Sequence, residues 1–598
     1  MPGGPLPTIS KVSSSPTGGW ALREAFRGGY GGRDFAADLY AGLSVAIVAL
    51  PLTMAFAIAS GVQPQYGLYT AIVAAGIIPL LGGSRVVVTG ATAAFVAVLI
   101  PISTQYGVAG LLTASLMAGA IMVLMGLSHM GKLIQFIPYP VTTGFTAGIA
   151  VVIAALQISD LLGLQLSGSS IRFLGKLMII AQALPTVSWR DGVIGAFALA
   201  VLIGFPFITR RIPAPLVATA LAASLAFGLG WSGESGAVRT IGNVYHYDTA
   251  GRSYRGIAPV PPHPVLPWNR TDSAQATAPL TLETVRDLIG PALTIAMLGA
   301  IVSLLCAVVA DGMTGTRHDP DRELIALGVG NMVGAFFGCI PASGAIARTT
   351  ANIRAGARSP IAATMHSLII LALMLAAAPL LSALPLAALA AVLVMIAWTM
   401  FDGRRILKII RVAPRSDTAV LLTCFGLTVV FDMVISVATG VVLAALLFMR
   451  RMSETTTTTL VREEHSLVSG AVPPGVLIYE IAGPLFFGAT EGAMNAIQNA
   501  AFSQRPKTVI LLMENVPIMD VTALVAMESV LDKLRKAKIF VILAGVQKQP
   551  LKLLTKAGVQ SITGKLAFCY DLEQALMLAT LGGQFSAASN PKIPTGNL

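Results

Sequence analysis

The sequence predicts an α-helical polytopic membrane protein with a 7+7 inverted repeat of fourteen transmembrane segments and a cytoplasmic α/β domain. Hydrophobic residues make up 55% of the 598 residues and charged residues only 11%, whereas soluble domains carry about 25% charged residues. Apolar stretches long enough to cross a bilayer follow one another between residues 35 and 451. After residue 475, short apolar runs alternate with helical patterns, which is typical of an α/β domain.

Composition excludes several other classes of protein. The net charge of +12 does not indicate nucleic-acid binding, because the basic residues separate apolar stretches and form no continuous tract. The sequence shows no cofactor motif, metal cluster or nucleophile–base pair, so we expect neither an enzyme nor a cofactor. We interpret four cysteines without CxxC spacing as packing residues, with no disulfide framework or zinc site: Cys306, Cys339, Cys424 and Cys569.

Twelve stretches predict complete spans, each needing about 20 residues. They are 35–60, 66–81, 108–129, 136–158, 193–209, 214–231, 285–310, 324–338, 361–381, 384–401, 418–431 and 433–449. Two further segments, 86–100 and 339–353, are too short or too interrupted for a full span, and they bring the count to fourteen. Residues 170–184 resemble an amphipathic surface helix instead.

The distribution of arginine and lysine predicts the orientation. Residues 1–34 lack the apolar core of a signal peptide, so we expect this segment to stay in the cytoplasm. With fourteen spans, the basic clusters flanking the apolar segments then also lie on the cytoplasmic side, including Arg404, Arg405 and Arg450. The long polar stretch 232–283 falls outside. We therefore predict a multi-pass membrane protein with both termini in the cytoplasm.

The two interrupted segments match each other. Thr89-Gly90-Ala91 aligns with Ser343-Gly344-Ala345, and each motif occupies the third position of its seven-span half. Because seven is odd, the second half has inverted topology, and paired broken segments in inverted halves point to a transporter binding site near the midplane. The alternative is a coincidence between small-residue packing motifs, which are common in membranes.

Each broken segment predicts a half-helix that begins near Gly90 or Gly344. The N-terminus of a helix offers unpaired N–H groups and a partial positive charge, which suits an anion. Arg348 falls about one turn into the second half-helix, and a cation at that depth is a functional hypothesis by default. Its alternatives are snorkelling towards the cytoplasm and a structural pair with a helix C-terminus. Arg354 and Arg358 are predicted to be interfacial.

Three stretches carry a resemblance to a known family over residues 34–581. The stretches ADGMTGTRHD, IPASGAIARTTANIRAGARSPI and ALPLTMAFAIASGVQPQYGLYTA resemble the SulP anion transporters, bacterial relatives of solute carrier family 26. Within the family, the segments TIGNVYHY and VLPWN are most similar to bacterial C4-dicarboxylate transporters. The resemblance implies a homodimer in the bacterial inner (plasma) membrane, an elevator-like movement and a cytoplasmic STAS domain.

The resemblance also implies a set of substrate-binding residues between the first, third, eighth and tenth spans. By motif position these are Phe56, Thr92, Ala93, Ala345, Ile346, Ala347 and Arg348. Relatives usually carry Glu in the eighth span, where this chain has Val302. A valine neither titrates nor binds a cation, so the change is consistent with an uncoupled exchanger, a relocated coupling group or an engineered substitution. Asp311 is expected to organise the cytoplasmic end of that span.

The cytoplasmic part is divided into a linker over 452–474, a STAS domain over 475–581 and a tail over 582–598. The runs VLIYEI, LFFG, TVILLM and IFVILAG predict strands, and 490–501, 522–538 and 549–557 predict helices. The loop with Asp520 and Thr522 resembles the phosphoacceptor loop of soluble relatives. We favour an N-cap role for Thr522.

The leading functional prediction is a secondary active transporter of C4-dicarboxylates such as succinate and fumarate. The alternatives are an inorganic-anion transporter or exchanger (sulfate, bicarbonate, chloride), a nucleobase symporter of the same architecture, and an anion sensor that signals through the STAS domain. A nucleobase symporter is disfavoured because Val302 and Arg348 occupy positions where acidic side chains are expected. The predicted partners are a small anion, a coupled proton or sodium ion, membrane lipid, a second copy of the chain and a cytoplasmic protein bound to the STAS domain.

Overall fold

We describe the protein from a computed structural model. The structure describes residues 19–134, 138–168, 173–209, 213–231, 238–249, 252–270, 281–431, 433–454, 457–461 and 472–581. The chain divides into two compact units, Met1–Val441 and Val442–Leu598. Part of the predicted surface helix 170–184, most of the predicted linker 452–474 and the tail 582–598 lie outside the described residues.

The first unit is helical. Its first half contains α1 (Trp20–Arg27), α2 (Gly32–Ala59), α3 (Pro64–Tyr69), α4 (Ala75–Leu81), β1 (Thr89–Gly90), α5 (Ala93–Leu127), α6 (Gly131–Ile134), α7 (Tyr139–Leu161), α8 (Phe173–Ala183), α9 (Trp189–Ile208) and α10 (Ala214–Gly228). A π-helix over Thr70–Ala74 joins α3 to α4. Apolar sequence forms helices here because a helix satisfies its own backbone hydrogen bonds where water is absent.

The second half repeats this plan after a short β-hairpin. Its elements are α11 (Ile241–Val244), β2 (His246–Thr249), β3 (Arg252–Arg255), α12 (Leu282–Thr314), α13 (Pro320–Phe336), β4 (Ser343–Gly344), α14 (Ile346–Arg354), α15 (Ile361–Ser382), α16 (Leu386–Phe401), α17 (Gly403–Val412), α18 (Arg415–Val430) and α19 (Met433–Glu454). Among the described residues, nine helices are long and apolar enough to cross a membrane. The count of fourteen spans stays a prediction.

Helix α5 consists of two helices placed end to end. Gly107 has φ of 65° and breaks the helical geometry between them, a backbone conformation that glycine adopts at little cost. The part before Gly107 is the short third segment that the sequence predicts, and the part after it is the fourth. A half-helix therefore leads directly into a full helix.

The two halves pack closely where α5 meets α13. A Cβ atom on Gly119 would lie 2.6 Å from the carbonyl oxygen of Gly328, and a Cβ atom on Gly328 would lie 2.5 Å from that of Gly119. Both contacts exclude any side chain larger than hydrogen. Small residues allow helix backbones to approach in membranes, where packing replaces the hydrophobic effect as the driving force.

The second unit is an α/β domain with one five-stranded sheet in the order β5-β6-β7-β8-β9. The strands and helices are β5 (Thr457–Val461), β6 (Val476–Ala482), α20 (Phe487–Gln504), β7 (Thr508–Asn515), α21 (Val521–Lys536), β8 (Phe540–Ala544), α22 (Lys548–Lys556), β9 (Leu566–Cys569) and α23 (Leu572–Thr580). Strands β6 to β9 are parallel and β5 is antiparallel. Apolar side chains cover both faces of the sheet, as a parallel sheet requires.

Two of the strand and linker predictions for this unit are wrong. The threonine-rich run predicted as a linker supplies β5, which pairs with β6, because β-branched residues suit an extended edge strand. The run LFFG is not a strand. Only Leu485 forms an isolated bridge, with Met519, and Phe487 already belongs to α20.

Candidate anion-binding site

The two broken segments meet in the structure. Strand β1 pairs antiparallel with β4, with Thr89 opposite Gly344 and Gly90 opposite Ser343. The amide of Ala345 donates to the carbonyl oxygen of Val88 at 2.9 Å. Non-helical segments of the two repeats, about 250 residues apart in sequence, are therefore joined by backbone hydrogen bonds. We call residues 86–92 and 338–345 the lead-in segments.

A helix begins directly after each lead-in segment. Helix α5 starts at Ala93 and α14 at Ile346, and neither N-cap residue, Thr92 or Ala345, accepts a hydrogen bond from the first turn with its side chain. The first amides of a helix have no partner within the helix, and together with the helix dipole they attract negative charge. The starts lie two or three residues later than predicted, because Gly90 and Gly344 belong to the strands.

Arg348 lies in the first turn of α14 and is only 2% exposed. Its guanidinium donates to the carbonyl oxygen of Ala91 in the other lead-in segment. Its Nη1 nitrogen is buried without a hydrogen-bond partner, and a Cβ atom on Gly90 would lie 2.8 Å from it. Of the ion pairs between described residues, none includes Arg348. This buried cation therefore keeps a donor available for an anion, and the snorkelling alternative does not apply.

Buried polar side chains hold the second lead-in segment in place. Asn331 of α13 accepts from the amide of Ala342 at 2.7 Å and donates to its carbonyl oxygen at 3.0 Å. Ser303 of α12 accepts from the amide of Gly344 at 2.8 Å. The hydroxyls of Thr92 and Ser343, on opposite lead-in segments, are 2.9 Å apart. The contacts of Asn331 and Ser303 give partners to buried backbone groups of this non-helical segment.

The remaining predicted site residues have different environments. Phe56 is buried on α2, which packs against both α5 and α14. Ala93 and Ala345 are buried, whereas Ile346 and Ala347 are exposed at the start of α14. Val302 is half-buried on α12 beside Ser303.

Sequence reasoning missed Ser303, Asn331 and Thr349, and it used Ser343 only in the alignment of the two motifs. Thr349 accepts from the amide of Val88 at 3.0 Å. For Ser303 and Asn331, the available signal was a single polar residue inside an otherwise apolar or glycine-rich helix, since such a residue is costly unless it has a partner. The interfacial position of Arg354 and Arg358 stays a prediction. Arg354 is exposed, and Asp311 accepts from the amide and the ring of His318 at 2.9 and 2.7 Å at the end of α12.

In the α/β domain, the predicted cap is wrong by two residues. Asp520 is the N-cap of α21 and accepts from the amide of Ala523 at 2.7 Å. Thr522 is the second residue of the helix, and its side chain is exposed. A carboxylate at the N-cap also interacts favourably with the helix dipole, which explains why aspartate takes this position.

The paired half-helices, the buried arginine and the attached α/β domain define a helical membrane transporter fold. The model of the sulfate permease family matches residues 35–424, and the model of the STAS domain matches residues 470–575. The chain belongs to the sulfate permease family and carries a C-terminal STAS domain.

Relatives match along nearly the whole chain. The chain is 38% identical over 540 residues to the putative sulfate transporter YvdB of Bacillus subtilis, covering 90% of this chain and 97% of the relative. It is 27% identical over 576 residues to the bicarbonate transporter BicA of Picosynechococcus, covering 92% and 95% respectively.

Solved structures show the same fold. The murine Slc26a9 anion transporter in the inward-facing state superposes with a TM-score of 0.81 at 18% identity and covers 96% of each chain. The transmembrane domain of a cyanobacterial BicA gives a TM-score of 0.57 at 24% identity, covering 69% of this chain and 98% of that domain.

Proposed function

We propose that the protein is a secondary active transporter of small oxyanions, which bind between the N-termini of α5 and α14. The single observation that carries this proposal is Arg348, a buried guanidinium with an unpartnered Nη1 beside two helix N-termini that lack side-chain caps. Charge-assisted hydrogen bonds from arginine suit the oxygens of carboxylate, sulfate and related groups. An anion at this position also offsets the cost of burying the arginine.

Two substrate classes fit this chemistry. The named relatives are sulfate and bicarbonate transporters, which favours an inorganic oxyanion, and we take sulfate as the first probe. The C4-dicarboxylates succinate and fumarate, predicted from the sequence motifs, present carboxylate oxygens to the same donors and form the second class. Competition experiments distinguish the two classes, because the preferred anion displaces the other at the lower concentration.

We further propose that the anion moves with the half-helices in an elevator-like step. Support comes from the hydrogen bonds that tie the lead-in segments to α12, α13 and each other, because a site held in this way can move as one body. Phe56 closes one side of the site. The active form is a homodimer in lipid, and the STAS domain has a regulatory role, either through the loop at Asp520 and Thr522 or through a cytoplasmic protein partner.

The test is sulfate binding and counterflow in proteoliposomes that contain the full chain. Arg348→Ala should weaken sulfate binding about tenfold or more, since a hydrogen bond to a charged group contributes about 1.5–3 kcal/mol. Arg354→Ala is the matched control, because that arginine is exposed, and we expect less than about a twofold change. Equal effects of the two substitutions would contradict the assignment of the site.

The same assay examines the sensor alternative. A transporter exchanges labelled sulfate, bicarbonate or fumarate across the membrane at a rate that saturates with concentration. Binding without counterflow for every one of these anions would favour an anion sensor that acts through the STAS domain. If fumarate competes more strongly than sulfate, the preferred substrate is a dicarboxylate.

A further inference from the structure

His366 is a fully buried histidine in α15, with 0% of its surface exposed. Neither ring nitrogen makes a hydrogen bond of good geometry among the described residues, although the backbone of Ala363, one turn earlier, is close enough to interact with the ring. Buried polar groups are normally paired, and each exception requires an explanation. A neutral imidazole carries one N–H and one lone pair, so this ring has an unused site for a proton within the membrane domain.

The helix around His366 packs against the lead-in segment of the first repeat. Ala363, one turn before His366, forms a cluster with Val45 of α2 and with Val88. The backbone of Val88 binds Ala345 and Thr349 on either side of Arg348. On the α2 side, a Cβ atom on Gly42 would lie 2.9 Å from the amide nitrogen of His366. His366 is therefore enclosed between α2 and the anion-binding region.

The positive charge nearest to this region is Arg348, which lies between Ala345 and Thr349, the two residues that bind the backbone of Val88. The elements packed against α15 are α2, α3, α4, α11 and the π-helix. Their titratable residues are Arg33, Asp34, Asp38 and Tyr40 on α2 and Tyr66 and Tyr69 on α3. Asp38 is already occupied at the start of α15, where it accepts from Ser359 and from the amide of Arg358.

We propose that His366 is the residue that binds the coupled proton during anion transport. This inference rests on the proposed anion site at Arg348. With the site empty, the buried guanidinium opposes a second positive charge on the ring. A bound anion offsets the charge of Arg348, so that anion and proton favour each other's binding, and this coupling is reciprocal by thermodynamic necessity.

The proton balance is simple. A proton from water adds to the lone pair of the unprotonated ring nitrogen as the anion binds, and a second N–H bond forms. That bond breaks when the anion leaves on the other side, and the proton returns to water there. When a dianion such as sulfate is carried together with one proton, one net negative charge crosses the membrane.

The test measures sulfate affinity of the purified full chain between pH 5.5 and pH 8, a range over which sulfate keeps its charge. We expect the affinity to fall as pH rises, by at most about tenfold per pH unit, the limit for one linked proton. In His366→Gln the affinity should become independent of pH. The control is His246→Gln, the same change at an exposed histidine of the β2–β3 hairpin. This variant should retain the pH dependence of the unaltered chain.

A second measurement does not need a variant. Calorimetry in two buffers of different ionisation enthalpy should show about one proton taken up per sulfate bound by the unaltered chain. Binding without proton uptake, or a pH dependence that survives in His366→Gln, would overturn the role of His366 and leave the anion site standing. If sulfate, bicarbonate and fumarate all fail to bind, the proposed function fails and this inference fails with it.

Discussion

Ser303 is a small residue that connects α12 to the second lead-in segment by a hydrogen bond. It lies in an apolar run of α12, is fully buried, and accepts the amide hydrogen of Gly344 at 2.8 Å. That amide belongs to a lead-in segment, so no helical carbonyl oxygen is available to it. The adjacent Val302 offers no polar group. One hydroxyl therefore connects α12 to the candidate anion site.

Ser303→Ala is expected to lower both the thermal stability and the sulfate affinity of the protein. The substitution leaves a buried N–H unpaired, which costs about 1–3 kcal/mol. Unfolding of the detergent-solubilised chain, followed by size-exclusion chromatography after heating, measures the stability term. Ser115→Ala is the control, because that hydroxyl is equally buried but has no hydrogen-bond partner. Similar losses in both variants would mean that the hydrogen bond to Gly344 is unimportant.

For Arg348, the sequence indicates the functional role but not the contacts of the side chain. A lone arginine in a broken apolar segment indicates a site from sequence alone. Its contacts do not follow from the sequence, because the carbonyl oxygen that it binds belongs to Ala91, 257 residues away. His366 was not singled out from the sequence, since one histidine among apolar residues gives no sign of whether its ring is paired.

At the scale of elements, the half-helices were predictable because their interruption is visible in the sequence. The Pro341 and Gly344 interruptions end one helical pattern before the next begins. The wrong predictions lie where a short run fits two states. LFFG is apolar enough for a strand, but the chain after Leu485 turns into α20, and the threonine run forms a strand because β6 is available to pair with it.

Asp520→Ala should loosen the first turn of α21 by about 1 kcal/mol, the usual cost of losing an N-cap. Hydrogen exchange of the full chain measures this as faster exchange of the amides near Ala523. Thr522→Ala serves as the control, because its exposed side chain does not cap the helix. Faster exchange in Thr522→Ala alone would mean that Thr522, and not Asp520, caps the helix.

For the whole molecule, the charge pattern predicts which side each loop faces. Ser253 lies in the β2–β3 hairpin, which is predicted to face outside, and Lys408 lies in the basic helix α17, which is predicted to face the cytoplasm. Both are exposed. An impermeant maleimide should label Ser253→Cys in intact cells and Lys408→Cys only after permeabilisation. The opposite pattern would reverse the predicted orientation.

The native cysteines should give little background in this labelling. Cys306, Cys339 and Cys424 are buried. Burial, together with the nearby carboxylate of Asp571, raises the pKa of the Cys569 thiol above its ordinary value. Less thiolate is then present at neutral pH, and the reaction of Cys569 should accelerate as pH rises. The unaltered chain, labelled in parallel at pH 7, measures this background.

The sequence by itself determined the membrane class, the broken segments, the α/β domain and the resemblance to SulP transporters, because hydropathy, helix interruption and motifs are local properties of the chain. Tertiary structure decided the pairing of β1 with β4 and the hydrogen bond from Arg348 to Ala91. It also decided the hydrogen bonds of Asn331 and Ser303 to the second lead-in segment, and the enclosure of His366. Each of these joins elements separated in sequence, most of them by tens to hundreds of residues. Their formation depends on how the two repeats pack together, which no local pattern specifies.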